Sequence, residues 1–219
     1  MALGSQGAGL TLVQAANGDF QTSPSRMLVL GFTRGVVYEL SAPTTGDAWT
    51  GTAIYTFGHG PGCNPAASLT VGPNGVFYGT TYYGGSGRAG TVFQLTPPSA
   101  AGRTWSESTI YSFTGPNGDG AYPAASLVLG SNGVLYGSTA AGGSPPSSSC
   151  AAGCDTVYEL SPPATPGGTW TETILHTFTG QNGDGSYPGP LTLAPNGVLF
   201  GPTWSGGAAG AGTVFALTP

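Results

Sequence analysis

The chain has 219 residues, of which only 6% are charged, and a formal net charge of −5. It has no lysine and only four arginines, so it lacks the basic surface that nucleic-acid phosphates or an anionic membrane surface require. No apolar run reaches the ~20 residues of a membrane helix, and residues 1–15 do not match a secretory signal. These features argue against a nucleic-acid partner and against membrane insertion. The low charge and 39% hydrophobic content predict a packed core despite 40 glycines and 19 prolines.

Three sequence markers recur in a fixed order along the chain. Asn-Gly pairs return every 57 to 64 residues, at Asn17, Asn74, Asn132 and Asn196. Segments related to TVFQL begin at Val36, Thr91, Thr156 and Thr213, and segments related to TWSESTIYSF begin at Ala48, Thr104 and Thr169. Such self-similarity is typical of repeat architectures. It predicts a single repeat domain over residues 1–219, with units at about 9–65, 66–123, 124–188 and 189–219.

The second unit shows the predicted elements in chain order. A first strand at Ser68–Gly72 leads into Pro73-Asn74-Gly75, where Asn-Gly suits the positive φ angles of a type I′ hairpin turn. A second strand at Val76–Thr81, a third at Thr91–Pro97 and a fourth at Thr104–Phe113 follow, all rich in β-branched and aromatic residues. We therefore predict an all-β fold, a β-propeller of four-stranded antiparallel blades with about 3.5–4 repeats. Another closed β architecture is the alternative.

The fourth unit contains no counterpart of the fourth strand, so the sequence predicts a sheet with an exposed edge. Exposed edges invite pairing with another strand. Two interpretations follow: two chains associate as a homodimer that completes the ring, or the chain is a fragment of a longer protein.

Three cysteines are present, and two of them are close together. Cys150 and Cys154 lie in a loop that is longer than its counterpart in the second unit. They predict a local disulfide in an oxidising compartment, and two exposed thiols are the alternative. Cys63 has no counterpart, and His59 with Cys63 is only half of a structural zinc site.

Two acidic, glycine-rich loops follow the fourth strands of the second and third units. Their side-chain oxygens come from Asn117 and Asp119 in the first loop, and from Asn182 and Asp184 in the second. Oxygen ligands in this pattern suit Ca²⁺. Asn-Gly and Asp-Gly are also ordinary turn formers, so a plain turn remains the alternative, and no other cofactor is expected.

Candidates for acid–base catalysis are few. His59 occurs only in the first unit and could act as a general base, although a solvated loop histidine is the simpler interpretation. Glu39 and Glu159 could supply carboxylates for glycoside hydrolysis. Because they recur through duplication of the unit, their presence needs no functional cause.

Aromatic residues after the second strand vary between units while the neighbouring Gly-Gly pair is kept. They are Tyr82 and Tyr83 in the second unit and Trp204 in the fourth. Exposed rings among abundant Thr, Ser and Asn would suit a carbohydrate or another neutral small molecule. The alternative is that these rings pack under their own loops.

The stretch from GTVFQLTP through WSESTIYSFTGPNGDGAYPAASLVLGSNGVLYGST resembles the Gloeo/Verruco (GloVer) tandem repeat of bacterial extracellular proteins. The resemblance covers about residues 60–219 well and the first unit more weakly. It implies a propeller-like fold and an extracellular or cell-surface setting, and it implies no particular reaction. The leading functional interpretation is a binding module for a neutral or carbohydrate ligand. The alternatives are a Ca²⁺-dependent hydrolase of lactones, esters or glycosides, by analogy with lactonase propellers, and a purely structural array.

Overall fold

The computed structural model describes residues 10–13, 26–31, 35–41, 50–58, 62–65, 67–100, 104–115, 118–143, 150, 154–181 and 183–219. These residues form β-strands and short turns, and no α-helix is found among them. Within the same residues, no helix could cross a membrane, since none has the necessary length and apolar character.

The first sheet has four antiparallel strands in chain order. They are β1 (Leu10–Val13), β2 (Arg26–Gly31), β3 (Val36–Ser41) and β4 (Thr50–Thr56). The first unit therefore builds the same kind of sheet as the others, although its sequence is the most divergent.

The second and third sheets share one topology, in which the first strand is split into two short pieces. The second sheet contains β5 (Cys63–Pro65), β6 (Thr70–Val71), β7 (Phe77–Tyr83), β8 (Thr91–Thr96) and β9 (Ser106–Ser112). The third sheet contains β10 (Ala121–Pro123), β11 (Val128–Leu129), β12 (Leu135–Ala141), β13 (Asp155–Ser161) and β14 (Thr171–Phe178). Both pieces pair with the second strand, so the single first strand predicted at Ser68–Gly72 is only the second piece.

The fourth sheet contains β15 (Gly185–Pro188), β16 (Thr192–Leu193), β17 (Leu199–Gly206) and β18 (Val214–Leu217). Among the described residues it has no counterpart of β9 or β14, as the sequence predicts. The pieces β5, β10 and β15 lie just before the predicted unit boundaries, and each pairs with the sheet that follows it.

The hairpin turns follow the Asn-Gly signal in two units and depart from it in a third. Asn74 has φ 54° and ψ 30°, Gly75 has φ 74°, and the Val76 N–H donates to the Pro73 carbonyl at 3.1 Å. These values confirm the type I′ turn, which the third unit repeats at Asn132. In the Asn196-Gly197 pair of the fourth unit, Gly197 has a positive φ and Asn196 does not, and the Gly197 N–H donates to the Ala194 carbonyl.

Successive sheets pack face to face through apolar side chains. Val37 and Phe57 of the first sheet meet Phe77 and Phe93 of the second. A second cluster joins the second and third sheets, and a third cluster joins the third and fourth. Repeated antiparallel sheets stacked in chain order are the blades of a β-propeller-type fold, which confirms the predicted fold class.

In the second, third and fourth sheets, a glycine of the second strand lies beneath an aromatic ring of the third strand. Gly79 is paired with Phe93, and a Cβ atom at Gly79 would approach the Phe93 ring to 2.5 Å. Gly201 and Phe215 repeat the arrangement at 2.6 Å. The glycine in each YGT-like segment is therefore needed for packing within the sheet.

A buried threonine pair also joins the second and third strands. The Oγ1 atoms of Thr81 and Thr91 are 2.7 Å apart, as are those of Thr139 and Thr156. Both pairs are buried, and a buried hydroxyl needs a hydrogen-bond partner. The pairs explain why threonine recurs at these positions of the repeat.

Candidate functional site

Three residues in the first strand pieces adopt a left-handed backbone conformation just before a proline. Their φ angles are 57° at Asn64, 58° at Tyr122 and 55° at Tyr187. Left-handed backbone costs a residue other than glycine about 1–2 kcal/mol, and it is uncommon for a bulky side chain. Such strain is concentrated at functional sites, which makes the two tyrosines candidates.

A hydrogen bond from the preceding sheet holds each tyrosine. The Tyr122 N–H donates to the Ala89 carbonyl at 2.7 Å. In the next unit, the Tyr187 N–H donates to Asp155 Oδ2 at 2.6 Å. Asp155 occupies a position that is glycine in the other units, so a carboxylate has replaced a backbone carbonyl as the acceptor.

The backbone at Tyr122 places its ring in an aromatic cluster that spans two sheets. The Tyr82 and Tyr122 rings are stacked, with centroids 5.1 Å apart and an interplanar angle of 17°. Tyr83 meets both rings edge-on, at 4.8 Å from Tyr82 and 5.7 Å from Tyr122. Burial first, and then the neighbouring phenols, which include Tyr187, raise the pKa of Tyr82. The structure therefore brings together two of the predicted rings, Tyr82 and Tyr83, with two that the sequence did not single out.

Tyr187 extends this cluster to the fourth sheet, where an exposed tryptophan faces it across the strand pair. Trp204 and Tyr187 stand at facing positions of β17 and β15, and they are 78% and 56% exposed. On the opposite face of the same strand pair, the hydroxyl groups of Ser186 and Ser205 are 2.7 Å apart. We call Tyr82, Tyr83, Tyr122, Tyr187 and Trp204 the aromatic surface.

Asp155 is the ionisable group that touches the aromatic surface. Its side chain is buried, and burial raises its pKa to about 6, against the opposing effect of the Tyr187 N–H. It follows Cys154, which forms a disulfide with Cys150, with Cα atoms 5.0 Å apart. The cross-linked loop thus leads directly into the residue that holds Tyr187.

Residues 11–219 match the sequence profile of a family described as the Gloeobacter/Verrucomicrobia repeat. The chain belongs to this family. No curated protein matches it. Among solved structures it is similar to a candidate 6-phosphogluconolactonase from Bacteroides uniformis, at 14% identity and a TM-score of 0.49. The match covers 87% of this chain and 50% of that one, so the chain spans about half the length of that structure.

The acidic loops of this Gloeobacter/Verrucomicrobia repeat protein use their carboxylates to hold their own backbone. Asp119 accepts hydrogen bonds from the Thr114 and Gly115 N–H groups and from the Tyr111 hydroxyl. Asp184 accepts the Thr179 N–H at 2.8 Å and lies 3.4 Å from His176 Nε2. Although burial opposes ionisation, these hydrogen bonds and His176 lower the pKa of Asp184.

Calcium binding by the same loops stays a prediction. Asn117 and Asn182 lie outside the described residues. Within the described part of the chain, no cluster of three or more His, Cys, Asp or Glu side chains could hold a metal ion. The backbone contacts of Asp119 and Asp184 agree with the turn interpretation, and they leave the calcium prediction untested.

Two of the three candidate catalytic residues of the repeat protein lie on described strands. His59 lies outside the described residues. Glu39 is on β3 and Glu159 is on β13, and the second sheet packs between the sheets that carry them. Glu159 accepts the Ser161 hydroxyl at 2.8 Å. The use of Glu39 and Glu159 as a glycosidase carboxylate pair stays a prediction.

Sequence analysis missed Tyr122, Tyr187 and Asp155. The Tyr-Pro pairs at the ends of the acidic loops were a usable signal, since they recur in two units. Asp155 also departs from the repeat, because it replaces a glycine.

Proposed function

We propose that this repeat protein is an extracellular binding module that holds a neutral carbohydrate, or a chemically similar polyhydroxylated molecule, on the aromatic surface. The observation that carries the proposal is the stacked Tyr82–Tyr122 pair beside the exposed rings of Tyr83, Tyr187 and Trp204. Aromatic rings give a ligand a large contact area, and a few polar groups fix its orientation.

The chemistry around the rings favours a neutral ligand. The whole chain has only four Lys and Arg residues. It therefore offers little positive charge to bind a polyanion. The tyrosine backbones are held in place by Ala89 and Asp155 before any ligand arrives, which limits the entropy lost on binding.

The proposed extracellular setting is supported by the disulfide between Cys150 and Cys154. Disulfides persist in oxidising compartments and are rare in the cytosol. A short cross-linked loop next to Asp155 would also stiffen the part of the site that holds Tyr187.

Calorimetric titration with short cello-, xylo-, manno- and malto-oligosaccharides tests the proposal. We expect saturable binding by at least one neutral series, and a loss of about tenfold in affinity for Trp204→Ala. Phe200→Ala is the matched control, because Phe200 is also an exposed aromatic residue of β17 but lies outside the aromatic surface.

Binding that Trp204→Ala and Tyr83→Ala leave unchanged would contradict the proposed site. Turnover of a lactone, ester or glycoside that a chelator abolishes would instead support the Ca²⁺-dependent hydrolase that the acidic loops predict.

A further inference from the structure

In the second, third and fourth sheets, one residue of the second strand stands opposite the left-handed residue of the first strand piece. The strand registers give the three pairs: Asn64 with Tyr82, Tyr122 with Ala140, and Tyr187 with Trp204. Ala140 has the smallest side chain of the six. It therefore interrupts the aromatic surface in the sheet that lies between Tyr82 and Tyr187.

The contact between the second and third sheets shows what the second-strand residue does when it carries a ring. The Tyr82 ring stacks on Tyr122 of the next sheet, with centroids 5.1 Å apart and an interplanar angle of 17°. Beside this stack, the Thr80 hydroxyl donates to the Ala125 carbonyl of the next sheet at 3.5 Å. With Tyr82 over it, Tyr122 is half-buried.

The contact between the third and fourth sheets repeats the same backbone arrangement. Tyr187 has φ 55°, against 58° at Tyr122, and its N–H is held from the preceding sheet in the same way. Ser138, at the position of Thr80 in the repeat, donates to the Gly189 carbonyl of the next sheet at 3.4 Å. Ala140 therefore stands toward Tyr187 as Tyr82 stands toward Tyr122.

The ring that covers Tyr122 has no counterpart over Tyr187. Alanine ends at its Cβ atom, so it cannot stack on the tyrosine of the next sheet. Tyr187 is 56% exposed, and none of the described rings is in contact with it. We call the space above Ala140, beside the face of the Tyr187 ring, the Ala140 recess. A six-membered ring placed there would occupy the position that the Tyr82 ring occupies over Tyr122.

The chemistry of the recess combines a flat apolar face with nearby hydroxyl groups. The Tyr187 phenol contributes to the raised pKa of Tyr82, after burial and the two nearer phenols, so these hydroxyl groups lie within electrostatic reach of each other across the third sheet. A phenol hydroxyl can both donate and accept a hydrogen bond. A pyranose matches this combination, because it has an apolar C–H face and a rim of hydroxyl groups.

We propose that the Ala140 recess is the primary subsite of the aromatic surface, and that it takes one pyranose ring of a neutral glycan, stacked on Tyr187 as Tyr82 is stacked on Tyr122. This inference rests on the proposed function, since it specifies where on the aromatic surface the sugar binds. Ala140 then determines specificity by leaving the recess open.

Filling the recess tests the proposal. Calorimetric titrations would use the trisaccharides of the cello, xylo, manno and malto series on the wild type, Ala140→Tyr and Ala140→Ser. For a sugar that the wild type binds, Ala140→Tyr should weaken binding at least about tenfold, because the new ring takes the place of the pyranose. Ala140→Ser is the matched control and should stay within about twofold of the wild type, because a single hydroxyl leaves the recess open.

Thermal melting separates a filled recess from a damaged fold. The Ala140→Tyr protein should melt at or above the wild-type temperature, since its ring can pack on Tyr187 as Tyr82 packs on Tyr122. Ala140→Leu is a second blocking variant with a smaller side chain, and it should also weaken binding if Ala140→Tyr does not fold.

Wild-type affinity in the folded blocking variants would overturn the subsite, and so would an equal loss of affinity in Ala140→Ser. If Trp204→Ala still weakens binding in either case, the proposed function stands without this subsite. If the wild type binds none of the four trisaccharides, the subsite and the proposed function are both wrong.

Discussion

Replacing Glu172 with glutamine should make the protein more stable at neutral and alkaline pH. The Oε1 atom of Glu172 is buried and has no hydrogen-bond partner. Burial first, and then the negative charge of Asp119, raise its pKa from 4.5 to about 7. A carboxyl that holds its proton more tightly in the folded chain than in the unfolded chain loses stability as pH rises. The loss therefore accumulates between about pH 4.5 and pH 7.

The size of the effect follows from these two pKa values. A rise in the Glu172 pKa from 4.5 to about 7 would lower the free energy of unfolding at high pH by roughly 3 kcal/mol if the carboxyl were fully buried. Because the Glu172 side chain is partly exposed, solvent screening reduces this, and we expect about 1–2 kcal/mol. Glutamine has the same shape and no charge, so Glu172→Gln should recover that amount at pH 8 and almost none at pH 4.5.

Urea unfolding of the wild type and Glu172→Gln at pH 4.5, 6 and 8 would measure the difference. Glu107→Gln is the matched control, because Glu107 stands at the same repeat position but accepts hydrogen bonds from Tyr55 and Thr109. It should gain nothing at pH 8. If the stability difference between Glu172→Gln and the wild type is the same at all three pH values, the reasoning is wrong.

Three further predictions concern the repeat itself. Thr139→Val should cost about 1–2 kcal/mol by leaving the buried Thr156 hydroxyl without its 2.7 Å partner, whereas Thr156→Val should cost less, because the Thr139 hydroxyl still donates to the Ala141 carbonyl at 3.0 Å; urea unfolding of both variants would show the difference. Gly79→Ala should cost about 1–3 kcal/mol, because the methyl group meets the Phe93 ring at 2.5 Å, and Phe93→Leu should recover part of the loss in thermal melts. Asp119→Ala should cost about 1–2 kcal/mol by releasing its loop N–H groups, with Asp119→Asn closer to wild type. Added Ca²⁺ that raises the melting temperature of the wild type but not of Asp119→Ala would support the calcium prediction.

Local features of the fold could be predicted from the sequence because one strong signal determines each of them. The turn at Asn74-Gly75 is an example, since its two positive φ angles are what Asn-Gly favours. The strands of the second unit are another, since β-branched and aromatic residues are concentrated in them. The splitting of the first strand was missed because the short piece Cys63–Pro65 carries no alternating pattern of its own.

The candidate site was only partly predictable, because its geometry depends on contacts between sheets. Tyr82 and Tyr83 were noticed as variable aromatic residues, but their stacking partner Tyr122 is some 40 residues away in sequence and reaches them through a left-handed backbone. Tyr187 depends in the same way on Asp155, at a sequence separation of 32. A single sheet considered alone contains neither contact.

These contacts between sheets have a consequence for how such chains can be recombined. Tyr82 belongs to one sheet, and the Tyr122 that stacks on it belongs to the next, where Ala89, from the loop of the preceding sheet, positions it. The module that could be transplanted with its surface intact therefore begins in the second strand of one sheet and ends in the first strand of the following one. Chimeras joined at the Asn-Gly turn would keep this half-shifted module whole, whereas chimeras joined between sheets would divide it.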